Sequence, residues 1–343
     1  MNRARLVLSV AEIALDRRRR YRRILPWVSP RPVFAVLAIL WMHAVLAGSV
    51  HAAREFEKVA TIGAQILKLP VGARASAMGG AFTAIADDAS CVYWNVGGLA
   101  RIQDGVLAVN HAPWLADISF SQVTYVGHTR YLPGTFALHA RSVYMPEMDV
   151  RTVFRPQGDG TSFDAGEMAL GLDYARSLTD KFSAGVGASF IQSTLASYGG
   201  SAVTFDFGTL YDTGYRNVRI GMQIQNIGSD LTYIEKPVKV PTSFRVGMST
   251  QLLDRGGQRL VTAGEFSHPP DNSERANVGG EYSIREFVFL RAGWYYRFDT
   301  ERFSLGGGLR LPGVIAREGR FDYAYTELNG LPAIHRFSAE FRF

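Results

Sequence analysis

From about Gly105 to the C-terminus, apolar and polar residues alternate with a period of two. The alternation runs in segments of roughly ten residues separated by turn formers. Successive side chains of a strand point to opposite faces, so such a segment has one greasy face and one polar face. In 216–228, Val218, Ile220, Met222 and Ile224 share a side against Arg219, Gly221, Gln223 and Gln225. In 202–213, Val203, Phe205, Phe207 and Tyr211 oppose Thr204, Asp206 and Asp212. Segments 286–298 and 320–328 repeat the pattern, with Arg291, Arg297 and Asp322 on the polar side.

A soluble sandwich or a small soluble barrel also alternates, but three features favour a transmembrane antiparallel β-barrel. Arg, Asp and Gln stand deep within the polar faces, as a wet lumen tolerates. Tyr295, Tyr296, Phe298 and Tyr325 gather near strand ends, where membrane barrels carry aromatic girdles. Glycines recur inside strands (Gly185, Gly187, Gly306, Gly307, Gly308), where a soluble core would lose packing. About fifteen segments qualify as strands. Bacterial single-chain barrels have even strand numbers, so the expectation is about 14, with 148–155 as an excursion outside the membrane. The last segment is the plainest: Phe337, Ala339, Phe341 and Phe343 alternate with Arg336, Ser338, Glu340 and Arg342, and the chain stops on Phe. A terminal aromatic strand resembles the signal by which outer-membrane barrels are recognised for assembly, which singles out Phe337, Phe341 and Phe343.

The N-terminal region differs. Residues 17–23 are a basic run, 32–50 an apolar stretch, and Val50-His51-Ala52 fits a small-residue cleavage site. Together they describe a secretory signal peptide over 1–52 with a long basic n-region. Nine arginines against Glu12 and Asp16 give this leader +7, whereas the whole chain carries +6, which leaves about −1 for the rest. The high pI therefore belongs to the leader, and a nucleic-acid partner loses its electrostatic support. Cys91 is the single cysteine, so neither an intrachain disulfide nor a cysteine zinc site can form.

Residues 53–103 break the strand pattern. A short helix is expected over 62–69, and 71–94 is rich in Ala and Gly, which permit close backbone approach. Such a segment suits a plug inside a barrel spanning 104–343. Val71-Gly72-Ala73-Arg74-Ala75-Ser76-Ala77-Met78-Gly79-Gly80, with Asp87-Asp88, Trp94-Asn95 and Gly98-Leu99, resembles the N-terminal signature of the PorV/PorQ family, which is related to FadL-type fatty-acid transporters. Gln225-Asn226-Ile227-Gly228, 241–247 and the C-terminal strand resemble the same family. The family usually has Asn-Pro-Ala-Gly-Leu where this chain has Asn95-Val96-Gly97-Gly98-Leu99, which removes a rigid turn.

The resemblance implies a 14-stranded outer-membrane barrel with an N-terminal plug and without catalysis or cofactor. It implies either a shuttle that binds secreted cargo in a type IX-like pathway, or a FadL-like channel for hydrophobic small molecules. Outer-membrane lipid and the barrel-assembly machinery are the general partners. The plug residues it marks are Gly72, Arg74, Met78, Gly79, Gly80, Asp87, Asp88, Trp94, Asn95 and Gly98. No catalytic constellation stands out, and the histidines show no metal-binding spacing. His128 or His139 beside a serine would mimic the outward Ser–His pair of an outer-membrane phospholipase, a reading weaker than structural histidines. Asp87-Asp88 reads as a capped turn rather than a cation site. Lys68 and Arg74 are candidates for an anionic headgroup, with solvated charge as the default.

Overall fold

The computed structural model describes residues 62–313 and 316–343. The leader, 1–52, and the first residues of the expected plug segment lie outside the described residues.

Fourteen strands close into one barrel in which each pairs antiparallel with its sequence neighbour and the last returns to the first. They are β1 (Val106–Pro113), β2 (Ser119–His128), β3 (Thr135–Asp149), β4 (Ser162–Ser177), β5 (Phe182–Leu195), β6 (Tyr198–Asp212) and β7 (Arg219–Gly228). β8 (Ser243–Arg255), β9 (Gln258–His268), β10 (Arg275–Ile284), β11 (Val288–Tyr296), β12 (Glu301–Pro312), β13 (Glu318–Leu328) and β14 (Leu331–Arg342) complete it. The closing seam pairs Val106 with Arg342 and His111 with Phe337. Closure leaves no free sheet edge, the condition a β-structure must meet inside a bilayer.

The alternation read from the sequence is the alternation of the wall. Val203, Phe205, Phe207, Leu290, Trp294, Phe321 and Phe337 are exposed on the outside, while Thr204, Asp206, Arg291, Asp322 and Arg336 are buried inside. An apolar exterior over a polar interior is inverted relative to a water-soluble barrel and matches one that faces lipid. No described helix is long and apolar enough to cross a membrane. The 148–155 excursion is narrower than expected: Met148 and Asp149 still pair with β4, and the connection begins at Val150.

Phe337 and Phe343 are exposed, and Phe341 packs edge-to-face on Phe321 with ring centroids 5.8 Å apart.

We call the end where β1 begins and β14 ends proximal, and the other distal. Residues 62–105 run through the barrel between these ends. At the distal end the Gly63 amide donates to the Lys239 carbonyl (2.9 Å), and at the proximal end the Phe343 amide donates to the Gly105 carbonyl (2.9 Å). In place of the helix expected over 62–69 there is one 3₁₀ turn, Gln65–Lys68, entered through left-handed Ala64. Two short helices follow, α1 (Ala73–Ala77) and α2 (Cys91–Trp94), and then a second 3₁₀ turn, Val96–Arg101. From Val71 to Leu99 every residue but Asp87 is buried. With elements this short, its shape is set by the wall it packs on, not by helix propensity.

Candidate functional site: the barrel interior and its distal cavity

Arg74 sits on α1 and is 9% exposed. Its Nε and Nη2 donate to the two oxygens of Glu281 on β10 (2.7 and 2.9 Å). Its Nη1 reaches Asp87 (2.5 Å) and Asp88 (3.0 Å). The network does not stop there. Glu281 also accepts from Arg291 on β11 (2.6 Å), Arg291 donates to Asp322 on β13 (2.8 Å), Asp322 accepts from Arg320 (2.9 Å), and Arg320 returns to Asp88 (2.9 Å). Three arginines and three carboxylates thus alternate around a closed ring with no net charge. Buried charges need this kind of pairing, because an unpaired one is costly to hold away from water.

The glycines of β12 explain how the ring crosses the wall. Arg291 and Asp322 are separated by β12, and a β-carbon at Gly308 would collide with both side chains. The pair spans that strand because position 308 carries no side chain. Of the strand glycines seen in the sequence, Gly308 makes room for this charge pair, Gly306 for Ala77 of α1 and Gly185 for the Val96 backbone.

Burial alone would lower the Arg74 guanidinium, but Asp87, Glu281 and Asp88 raise it well above its ordinary value. Burial likewise opposes the charge of Asp88, yet Arg320 and Arg74 outweigh it and hold that carboxyl far below the usual aspartate range. Asp88 also accepts from the Ser90 amide (3.0 Å), so the capped turn expected at Asp87-Asp88 is present. Arg74 is neither solvated nor free for a headgroup. Lys68 pairs with buried Asp271 (2.7 Å). The Cys91 thiol is buried, and burial together with Asp88 pushes its pKa well up.

The other motif residues pack within the internal segment and against the wall. Gly72 has φ +85 at the start of α1, with Ser90 against it. Met78 joins the apolar cluster of Phe82 and Trp94. Gly79 (φ +68) lies where a β-carbon would meet the Trp294 amide at 3.0 Å, and its own amide and carbonyl bond Ser304 (3.0 Å) and Asn277 (2.7 Å). Gly80 faces the Trp94 ring, whose Nε1 donates to the Val71 carbonyl (2.7 Å). The Asn95 amide bonds the Thr83 and Thr209 carbonyls (2.8 and 2.9 Å), and its oxygen caps Gly97 (3.0 Å). That side-chain cap holds the turn at Asn95-Val96-Gly97. At Gly98 a β-carbon would strike the Ala86 backbone.

His128 and His139, the two weighed for a Ser–His pair, lie on the inside of the wall. His139 is fully buried against Asp173 (2.9 Å), and His128 bonds the Ile102 carbonyl (2.9 Å). Among the described residues, no cluster of three His, Cys, Asp or Glu could hold a metal.

Two cavities flank the internal segment. The distal one, about 120 Å³, is lined by Tyr93, Trp94, Pro241, Pro270, Tyr295 and Phe298 together with Arg245 and Arg336. Arg245 stands 5.0 Å from the centroids of both Tyr93 and Trp94. One guanidinium nitrogen of Arg245 (Nη1) and one of Arg336 (Nε) are buried without a hydrogen-bond partner among the described residues. The proximal cavity, about 310 Å³, is lined by Asp87, Arg219, Ser249, Gln251, Arg259 and Val261.

Glu281 and Arg320 of the ring, and Arg245 of the distal cavity, were not singled out from the sequence. Arg291 and Asp322 were placed on polar faces, but alternation says which way a residue points and nothing about its partner.

The model of an uncharacterised protein family, UPF0164, matches residues 42–233, more than half of the chain. The chain belongs to the UPF0164 family. Among curated proteins nothing matches. Among solved structures, this UPF0164 protein is similar to the Pseudomonas putida toluene transporter TodX (TM-score 0.57, 10% identity, 78% of this chain and 96% of that one). It is also similar to a Pseudomonas aeruginosa FadL homologue (0.54, 13%, 80% and 99%) and to the Ralstonia pickettii toluene transporter TbuX (0.52, 15%, 79% and 98%). At these identities the shared property is the fold, a FadL-like barrel. None of these three is a PorV or PorQ protein, and none is named as an enzyme.

Proposed function

We propose that this UPF0164 protein is an outer-membrane channel that takes up hydrophobic small molecules, and that its distal cavity is the first binding site. In this reading residues 1–52 direct export and are cleaved, 53–103 plug the barrel, and the aromatic end at Phe337, Phe341 and Phe343 is recognised by the assembly machinery. The observation that carries it is the distal cavity: aromatic and proline walls, with two arginines that each keep one buried, unused N–H group. A mostly apolar pocket with a few convergent polar groups is the usual form of a small-molecule site. The names of similar structures, two toluene transporters and a FadL homologue, support the same substrate class. A type IX-like shuttle role rests on the sequence motif alone.

The test is binding by the refolded protein in lipid nanodiscs, with toluene and a fluorescent fatty acid as probes. Both saturate. Arg245→Met and Arg336→Met each weaken the fatty acid about tenfold, the scale of one lost charge-assisted hydrogen bond, and leave toluene unchanged. Absence of saturable binding for both probes overturns the proposal.

A further inference from the structure

The two cavities share one stretch of wall. On paired strands β8 and β9, the rung of Arg245 and Ser267 faces the distal cavity, and the rung of Gln251 and Val261 lies at the proximal one. Between them come two rungs, Gly247 opposite Glu265 and Ser249 opposite Ala263. Gly247 and Ala263 give this middle stretch of wall little side-chain bulk. The space is taken by the internal segment: a β-carbon on Gly247 would lie 3.2 Å from the Ala84 amide nitrogen and 3.3 Å from the Thr83 Cβ. The turn Phe82–Ile85 is thus the stopper between the two cavities.

Its attachments to this wall are few. One Glu265 oxygen accepts from the amides of Phe82 (3.1 Å) and Thr83 (2.9 Å), and the Ser249 hydroxyl donates to the Ala84 carbonyl (3.1 Å). The neighbouring residues of the segment, by contrast, are fixed to β10, β13 and β14: Arg74 and Asp88 by the charged ring, and the Ala89 amide by Glu340 (3.1 Å). Motion of the turn alone breaks the carboxylate clamp, the hydroxyl bond, the Arg219 bond to the Ile85 carbonyl (3.3 Å) and the bonds of Thr83 with Trp94 and Asn95 (3.2 and 2.8 Å), and leaves the charged ring whole. Motion of the whole segment breaks the ring as well. Local opening is the lower-energy route, as expected where cooperative units differ in stability.

We propose that the distal and proximal cavities are the two ends of one transit path along the inner faces of β8 and β9, gated by the Phe82–Ile85 turn and latched by the Glu265 carboxylate. The proposal rests on the small-molecule reading of the distal cavity for what passes, but the path itself is tested without any such molecule.

The experiment is conductance of small ions through the full mature protein in planar bilayers, with heat-modifiable gel migration to confirm folding of each variant. Glu265→Gln keeps the shape of the latch and removes its charge. Open time is expected to rise about tenfold, because charge-assisted hydrogen bonds are roughly twice as strong as neutral ones. If that variant does not fold, Ser249→Ala loosens the other attachment and is expected to act in the same direction. In a Cys91→Ala background, Ala84→Cys with Gly247→Cys joins positions whose β-carbons lie 3.5 Å apart, within the range a disulfide spans. Oxidation is expected to abolish conductance, and reduction to restore it. The gate is overturned if the oxidised pair conducts like the reduced pair, or if the latch variants are as quiet as the wild type. Probe binding to the distal cavity is measured on the same proteins. Intact binding with latch-independent conductance refutes the gate alone, whereas latch-dependent conductance without probe binding refutes the small-molecule reading and upholds the gate.

Discussion

Replacing Arg74 by Met tests whether the charged ring ties the internal segment to the wall. The residue is 9% exposed and its side chain makes four hydrogen bonds to three carboxylates. Breaking a buried ion pair by removing one partner costs about 3–5 kcal/mol, because a charge is left uncompensated. Here the loss is softened: Glu281 keeps Arg291, and Asp88 keeps Arg320 and Ser90. The expected cost is therefore near the lower edge, about 3 kcal/mol. Arg74→Lys keeps the charge but not the planar fork that reaches Glu281 on one side and Asp87-Asp88 on the other, and it is expected to cost about 1–2 kcal/mol. The assay is urea unfolding of the protein folded into phospholipid vesicles, read by tryptophan fluorescence. Adding Glu281→Gln to Arg74→Met should cost less than Glu281→Gln alone, since its partner is already gone. A loss below about 1 kcal/mol for Arg74→Met, with additive double mutants, would refute the ring as a tie.

Two further predictions follow from the same geometry. Asp88 is held below the ordinary aspartate value by Arg320 and Arg74, against its burial, so its contribution to stability is full above pH of about 4 and is lost as pH falls further toward the depressed value. Urea midpoints measured at pH 7 and pH 5 should match as far as this group is concerned, and Asp88→Asn should flatten the fall seen below pH 4. Gly308→Ala places a methyl where Arg291 and Asp322 meet across β12 and should cost about 1–3 kcal/mol, whereas Gly307→Ala on the outward face should be near neutral. Equal effects at the two positions would show that the bridge does not depend on the gap.

Much of the wall was legible because alternation encodes direction. Val203, Phe205 and Phe207 face outward and Thr204 and Asp206 inward, as their spacing requires. The strand number could be read for the same reason, since closed bacterial barrels have even counts. The extent of the 148–155 excursion was not legible, because the alternation near Met148 continues past the point where pairing ends at Asp149. The short helix expected over 62–69 forms only as the 3₁₀ turn Gln65–Lys68, for a different reason. Its apolar residues are spaced for a helix, but Ile66 and Leu67 are both buried, Ile66 donates its amide to Glu167, and Gly63 is pinned to Lys239. Tertiary bonds decided the conformation over a span too short for propensity to decide.

The interior shows most clearly where reading one chain stops. Inward Arg, Asp and Gln were taken as the mark of a wet lumen, and much of the inward charge is instead occupied by the internal segment. Glu281 and Arg320 bind it directly, while Arg291 and Asp322 close the ring behind them. Alternation cannot tell these cases apart, because a side chain turned inward to water and one turned inward to a buried partner occupy the same register. What separates them is composition along the inner face. On β10 to β13 the charges come in opposite signs at neighbouring positions, Glu281 directly across from Arg291 and Arg320 two residues from Asp322, which is the pattern of mutual neutralisation. On β8 and β9 the inner face runs Arg245, Gly247, Ser249 and Glu265, Ala263, Val261, with the two charges on adjacent rungs toward the distal end and small or apolar side chains beyond them. The first pattern builds a lock and the second leaves a groove, so the side of the barrel that holds the segment and the side that can release it differ in the residues themselves.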